Sequence, residues 1–152
     1  YAAGLSLKEE NLDAFTQRFL KLAADEIIPE QMTPQIDIDA VLDLQDINAK
    51  FMSELKKMNP FGPDNQKPVF CSLGVKDYGT SKLGKDLEHI KLELIDDKSN
   101  TPIHGIAFGM HQHNTHIKNM KPFNICYTIE ENTYNGNTSL QLMVKDIKEN
   151  DI

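Results

Sequence analysis

Asn59-Pro60-Phe61-Gly62-Pro63-Asp64-Asn65 splits the chain into two halves with different hydrophobic periods. Two prolines and a glycine in so short a span exclude regular structure and enforce a rigid turn. Whatever this chain folds into must therefore keep its two halves as separate kinds of structure. A boundary near Pro68 follows, with a strand-rich domain from 68 to 152.

The first half has helical spacing. Ser6-Leu7-Lys8-Glu9 reads as a capping box, and Leu12, Phe15, Phe19, Leu22 and Ala23 then recur along one helical face. Pro29 and Pro34 end that helix near Ile27. Ile36 and Ile38 alternate with Asp37 and Asp39, which predicts a short half-buried strand. A second helix follows, capped by Asp43 or Asp46, with Ile47, Phe51, Leu55 and Met58 on one side. Phe61 is expected to pack at the junction with the second half.

After Pro68 the period becomes two. Val69, Cys71, Leu73 and Val75 mark a first strand, and Ile90, Leu92 and Leu94 a second. Residues 103–108 form a third; Phe123, Ile125, Tyr127 and Ile129 mark a fourth; Leu140, Leu142 and Val144 mark a fifth. Asn135-Gly136 is a hairpin signal between the last two. Met110 to Met120 is polar and His-rich, so it forms a short helix or loop between strands three and four. Five strands with an excursion at that point match the layout of an OB-fold, a small Greek-key barrel. The fold class is α+β: a helical segment followed by a five-stranded OB barrel.

Charge narrows the function. The chain of 152 residues carries a formal charge of −7, from 16 Lys and Arg against 23 Asp and Glu. Residues 1–68 hold 7 basic and 12 acidic side chains. Such a balance argues against electrostatic coating of duplex DNA, although a narrow basic groove remains compatible with it. No apolar run approaches the ~20 residues of a membrane helix, so no membrane partner is expected. Tyr1-Ala2-Ala3-Gly4 has neither an initiator methionine nor a signal segment, which suggests that the chain is part of a longer one. Cys71 and Cys126 are too few for a disulfide scaffold and read as reduced small hydrophobes in a cytoplasmic protein.

Catalytic chemistry is hard to find. Two-metal phosphodiester cleavage needs carboxylates and histidines around ions ~3.5–4 Å apart, and no Asp-His-His run exists. His111, His113 and His116 are close in sequence, but no acidic or thiol ligand adjoins them, and a solvated loop is the simpler reading. No nucleophile elbow is present either. No catalytic or metal-binding residue is assigned.

Several segments look familiar together. Ala2-Ala3-Gly4-Leu5, Asn59-Pro60-Phe61-Gly62-Pro63 with Pro68-Val69-Phe70, Gly84-Lys85 with His89-Ile90-Lys91-Leu92, Ile106-Ala107-Phe108-Gly109-Met110, and Ser139-Leu140-Gln141-Leu142 with Val144-Lys145-Asp146-Ile147 appear in this order. In that order they resemble the C-terminal part of the RecJ family of single-stranded-DNA-specific exonucleases. The resemblance implies residues 1–34 as the end of a DHHA1-type domain, 35–67 as a strand–helix connector, and 68–152 as a nucleic-acid-binding OB domain. It also implies a parent hydrolase that degrades single-stranded DNA from the 5′ end, in repair and recombination. The Mg²⁺ or Mn²⁺ ions of such an enzyme belong to a catalytic DHH domain outside this chain, so the chain alone is expected to be inactive and cofactor-free. Partners would be single-stranded DNA, the DHH and DHHA1 domains of the same polypeptide and, as a further candidate, a single-strand-binding protein.

A barrel that grips single strands needs cations along the phosphates and flat side chains under the bases. In the OB layout these come from strands two and three and from the loops between strands 1–2 and 4–5. Candidates are Lys76, Lys82 and Lys85 in the first loop, His89 and Lys91 on strand two, Phe108 on strand three, Tyr134 and Asn135 in the second loop, and Lys145 on strand five. Duller roles compete: exposed lysines are ordinarily only solvated, Tyr134 equally braces a hairpin, and the apolar ring of Phe108 favours the core over a stacking platform. An OB module that docks another protein or domain through the same face is the alternative function.

Overall fold

A computed structural model of the chain describes residues 3–79, 81–84 and 88–150. They form two compact units, 1–36 and 37–152. In the first unit, α1 (Leu12–Glu26) ends where Ile27 turns to extended backbone, just before Pro29. The expected capping box does not form. A 3-10 turn at Glu9–Asn11 precedes the helix, and neither Lys8 nor Asn11 makes a side-chain cap. The turn uses Lys8 O for the Asn11 N–H instead, at 2.9 Å. Leu12, Phe15, Phe19 and Leu22 are all exposed, and the rings of Phe15 and Phe19 stack at 5.7 Å.

The second unit begins with a connector. The expected strand at Ile36–Asp39 is displaced: β1 is only Ala40–Val41, paired parallel to the next strand. Asp39 spends both its backbone and its carboxylate on Val69, at 2.8 Å each. A 3-10 turn at Leu44–Asp46 then consumes the residues expected to begin a helix, so α2 (Ala49–Lys56) starts later. Its cap is Asn48, whose side chain accepts the Phe51 N–H at 3.1 Å, and not Asp43 or Asp46. Asp43 is engaged by Lys98 at 2.8 Å. Leu44, Ile47 and Leu55 are buried in the main core, and the Phe51 ring meets Phe70 edge-on at 5.5 Å. The Pro/Gly turn follows, held by Asn65, whose amide donates to Met58 O and Pro60 O.

Each period-two segment contains a strand: β2 (Phe70–Asp77), β4 (Ile90–Ile95), β5 (Ile103–Ala107), β6 (Phe123–Tyr134) and β7 (Asn137–Glu149). Two further strands, β1 and β3 (Lys82–Leu83), bring the sheet to seven among the described residues, where alternation indicated five. Both are two residues long, too short for alternation to register. The order is β1-β2-β6-β7-β5-β4-β3, and β2 also pairs with β4, so the sheet returns on itself. All pairs are antiparallel except β1 with β2 and β5 with β7.

The alternation of β4 holds throughout, with Ile90, Leu92 and Leu94 buried. In β2 it does not. Phe70 and Ser72 face the core, the register slips between Ser72 and Val75, and Leu73 is left exposed. Gly74 at φ +65° makes the slip possible, since a left-handed backbone favours glycine. Phe123, Ile125, Tyr127 and Ile129 fill the centre, each at most 1% exposed. The Tyr127 hydroxyl meets Ser72 Oγ at 2.7 Å, and Ser72 donates onward to Leu42 O. Asn135 (φ 49°) and Gly136 (φ 80°) turn β6 into β7. Between β5 and β6, a 3-10 turn at His111–His113 leads into α3 (Asn114–Lys118).

Candidate nucleic-acid interface

Because Ile90, Leu92 and Leu94 point inward, Lys91 and Glu93 must line the outer face of β4. Gly105 and Ala107 are likewise buried on β5, which turns His104 and Ile106 outward. The register sets Lys91 beside Ile106 and Glu93 beside His104, with the His104 and Glu93 side chains 3.5 Å apart. On the other side of β5, Gln141 of β7 lies beside His104. These residues, with Asn132 on the hairpin and Lys82 on β3, line a cleft of about 600 Å³.

Lys82 owes its position to a buried serine. Ser81 is fully buried: its N–H donates to Asp77 Oδ1 at 3.1 Å, and its hydroxyl accepts the Glu93 N–H at 2.9 Å. Its carbonyl also receives Lys118 from α3. So anchored, β3 pairs with β4 and places Lys82 directly opposite Lys91. Both side chains are exposed, and neither has an ion-pair partner among the described residues. Like charges directly opposite on neighbouring strands repel. An anion between them would remove that repulsion.

Phe108 departs from expectation. It follows the inward Ala107 and is therefore outward, 53% exposed, and not in the core. Its ring meets His89 edge-on, with centroids 4.8 Å apart. His89 Nδ1 accepts the Gly109 N–H at 2.9 Å, so the ring is held from behind. In the β4–β5 ladder this pair adjoins Lys91 and Ile106, at the end opposite to Glu93 and His104.

The other expected residues are more scattered. Tyr134, 74% exposed, and Asn135 stand at the tip of the β6–β7 hairpin. Asn135 there has the turn conformation that explains its residue type. Lys76 pairs with Asp97 at 3.4 Å and does not line the cleft. Lys145 is exposed on β7, also outside the cleft lining. Lys85 lies outside the described residues. Glu93, His104, Asn132 and Gln141 are absent from the expected set, which holds mainly cations and aromatics; the alternation against Ile90, Leu92 and Leu94 already turns Glu93 outward.

The histidine segment is structural in its contacts. Glu149, from the end of β7, brings one carboxylate oxygen to His113 Nδ1 at 2.7 Å and the other to His116 Nδ1 at 3.2 Å. His116 is buried, with Nε2 at 3.0 Å from Pro122 O, so the segment is not the solvated loop expected. His111 is exposed. Among the described residues, no group of three or more His, Cys, Asp or Glu is arranged to hold a metal ion.

Residues 38–146 match the family described as RecJ OB domain. The chain is 26% identical over 145 residues to the single-stranded-DNA-specific exonuclease RecJ of Bacillus subtilis, covering 95% of this chain and 18% of that protein. Against RecJ of Haemophilus influenzae it is 27% identical over 147 residues, covering 97% and 25%. The chain thus spans a quarter or less of the relatives it matches. Its fold is similar to a crystal structure of Thermus thermophilus RecJ with Mn²⁺, at a TM-score of 0.73 and 16% identity over 98% of this chain and 21% of that one. With its matched span running through the connector and almost all of the sheet, this chain belongs to the RecJ OB domain family.

Proposed function

We propose that residues 37–152 hold single-stranded DNA in the cleft over β3, β4 and β5, as an accessory grip within a RecJ-type exonuclease. The single observation that carries this is the direct opposition of Lys82 and Lys91, neither with an ion-pair partner among the described residues. Two cations facing each other on one strand pair suit a phosphate. A fixed exposed aromatic, Phe108, beside them suits a stacked base. Amide and imidazole groups farther along the cleft, at Gln141, Asn132 and His104, suit base edges or sugars. Tyr134 and Asn135 would bound the cleft from the hairpin, while Lys76 and Lys145 would add only long-range attraction.

In this reading β2, β4, β5, β7 and β6 form the closed five-stranded barrel of an OB domain, supported by the return pairing of β4 to β2. Residues 1–34 belong with a DHHA1-type domain; the exposed apolar face of α1 supports that assignment. Hydrolysis, its Mg²⁺ or Mn²⁺ ions and any role in repair reside with a DHH domain, in a cytoplasmic parent enzyme.

Titrating an unlabelled single-stranded oligonucleotide into isotopically labelled chain tests the location. Amide shifts should concentrate on β3, β4, β5 and the hairpin. Shifts confined to α2 or to the β1 edge would contradict the cleft and favour a docking role for it.

A further inference from the structure

The two cysteines are 55 positions apart in sequence and directly opposite in space: Cys71 of β2 and Cys126 of β6 are register partners in an antiparallel pair. Directly opposed residues point to the same face of a sheet. Here that face is opposite to the one on which Phe70 and Tyr127, the next pair along, meet in the core. Opposed Cα atoms in antiparallel strands lie ~4.5–5.5 Å apart, within the ~4.4–6.8 Å that a disulfide spans. The strand register thus brings the two within bridging range. Both thiols are free; Cys71 is buried and Cys126 is partly open.

The geometry points to a covalent modification site: Cys71 and Cys126 form a cross-strand dithiol that a peroxide-class oxidant closes, reversibly, into an intrachain disulfide tying β2 to β6. Cys126, the more open of the two, reacts first. Its sulfur attacks one peroxide oxygen, the O–O bond breaks, and the departing oxygen leaves as water, giving a sulfenic acid. Cys71 sulfur then attacks Cys126 sulfur, the S–O bond breaks, and a second water carries off the oxygen and the Cys71 proton. Two thiols lose two hydrogens, and one peroxide becomes two waters. Burial, followed by the adjoining Cys71 thiol and Asp146, pushes the Cys126 thiol up to about 11, so closure is slow at neutral pH and quickens as pH rises. This site lies on a different strand pair from the Lys82–Lys91 cleft, so it does not depend on how DNA is held.

Hydrogen peroxide is the probe. The whole chain is treated, unfolded, alkylated with iodoacetamide and weighed intact, with a non-reducing peptide map alongside. The expected result is a mass lower by two hydrogens, no alkylation at either cysteine, one linked peptide joining Cys71 to Cys126, and full reversal by a thiol reductant. The yield should not change on tenfold dilution, since the link is intramolecular. Cys71→Ala should leave Cys126 carrying oxygen with no link; wild-type mapping decides the matter even if that variant folds poorly. Two alkylated cysteines after treatment, separate oxygen adducts on each, or only linked dimers would overturn the proposal.

Discussion

The Asp96 carboxylate accepts the backbone N–H of Leu44 at 2.7 Å, across 52 residues of chain. Its other oxygen accepts from Lys98 and Ser99, at 3.0 and 2.6 Å. One side chain thus shapes the β4–β5 loop and holds the connector's 3-10 turn against it. Burial pushes the Asp96 carboxyl up, but the hydrogen bonds from Leu44, Ser99 and Lys98 outweigh it, and the net shift is downward.

A lowered carboxyl stabilises the fold above its unfolded value near ~3.9, and the contribution disappears as pH falls through the folded value. Asp96→Ala removes the acceptor of three backbone N–H groups at a partly solvated site and should cost about 1 kcal/mol at neutral pH. Denaturant melts at pH 7 and at the acid end should show the difference from wild type shrinking as pH falls. An unchanged difference would mean that the carboxylate charge is irrelevant to the link.

Tyr127 makes the opposite kind of titration. Burial pushes its hydroxyl up to about 12, although the Ser72 hydrogen bond opposes the shift. A raised acid contributes stability that is present below the unfolded value of ~10 and is lost as pH rises toward 12. Tyr127→Phe should cost about 0.5–1.5 kcal/mol at pH 7, because Ser72 keeps Leu42 O as an acceptor. It should also flatten the alkaline decline in stability followed by circular dichroism from pH 9 to 12.

Glu149 joins two histidines of one segment to the end of β7. Glu149→Ala leaves His116 buried with one partner fewer, an expected loss of about 1–3 kcal/mol. Hydrogen exchange should quicken first in residues 114–118 and only later in β4. Uniform quickening across the sheet would show that the carboxylate supports the whole fold and not α3 in particular.

Phe108 is exposed, so Phe108→Ala should barely change the melting temperature. Base–aromatic stacking contributes about 1–3 kcal/mol, so single-strand affinity should fall by about 5- to 150-fold. Affinity within twofold of wild type would remove Phe108 from the interface.

Much of this architecture is legible in residue pattern, and the exceptions share a physical cause. Ile90, Leu92 and Leu94 read correctly because a strand buried on one face must alternate. Asn135-Gly136 read correctly because few residue pairs accept two left-handed conformations in succession. Leu73 misled because the register slip at Gly74 reverses the alternation, and hydrophobicity does not report a slip. Asn48 caps α2 in place of Asp43 or Asp46 because a 3-10 turn displaces the helix start. Phe108 was drawn to the core by its apolar ring, although Gly105 and Ala107 already set the inward phase. The Lys82–Lys91 opposition depends on Ser81 and Asp77 anchoring a two-residue strand, a tertiary arrangement without a local signature.

Lys82 and Lys91 are the phosphate site proposed for single-stranded DNA. The most direct measurement is fluorescence anisotropy of a labelled single-stranded oligonucleotide, with duplex as control, across a salt series for wild type and for Lys82→Ala/Lys91→Ala. Single-strand preference, affinity that falls as salt rises, and a shallower salt dependence in the variant by up to two released counterions are expected. Identical affinity and salt slope in wild type and variant would contradict the phosphate site.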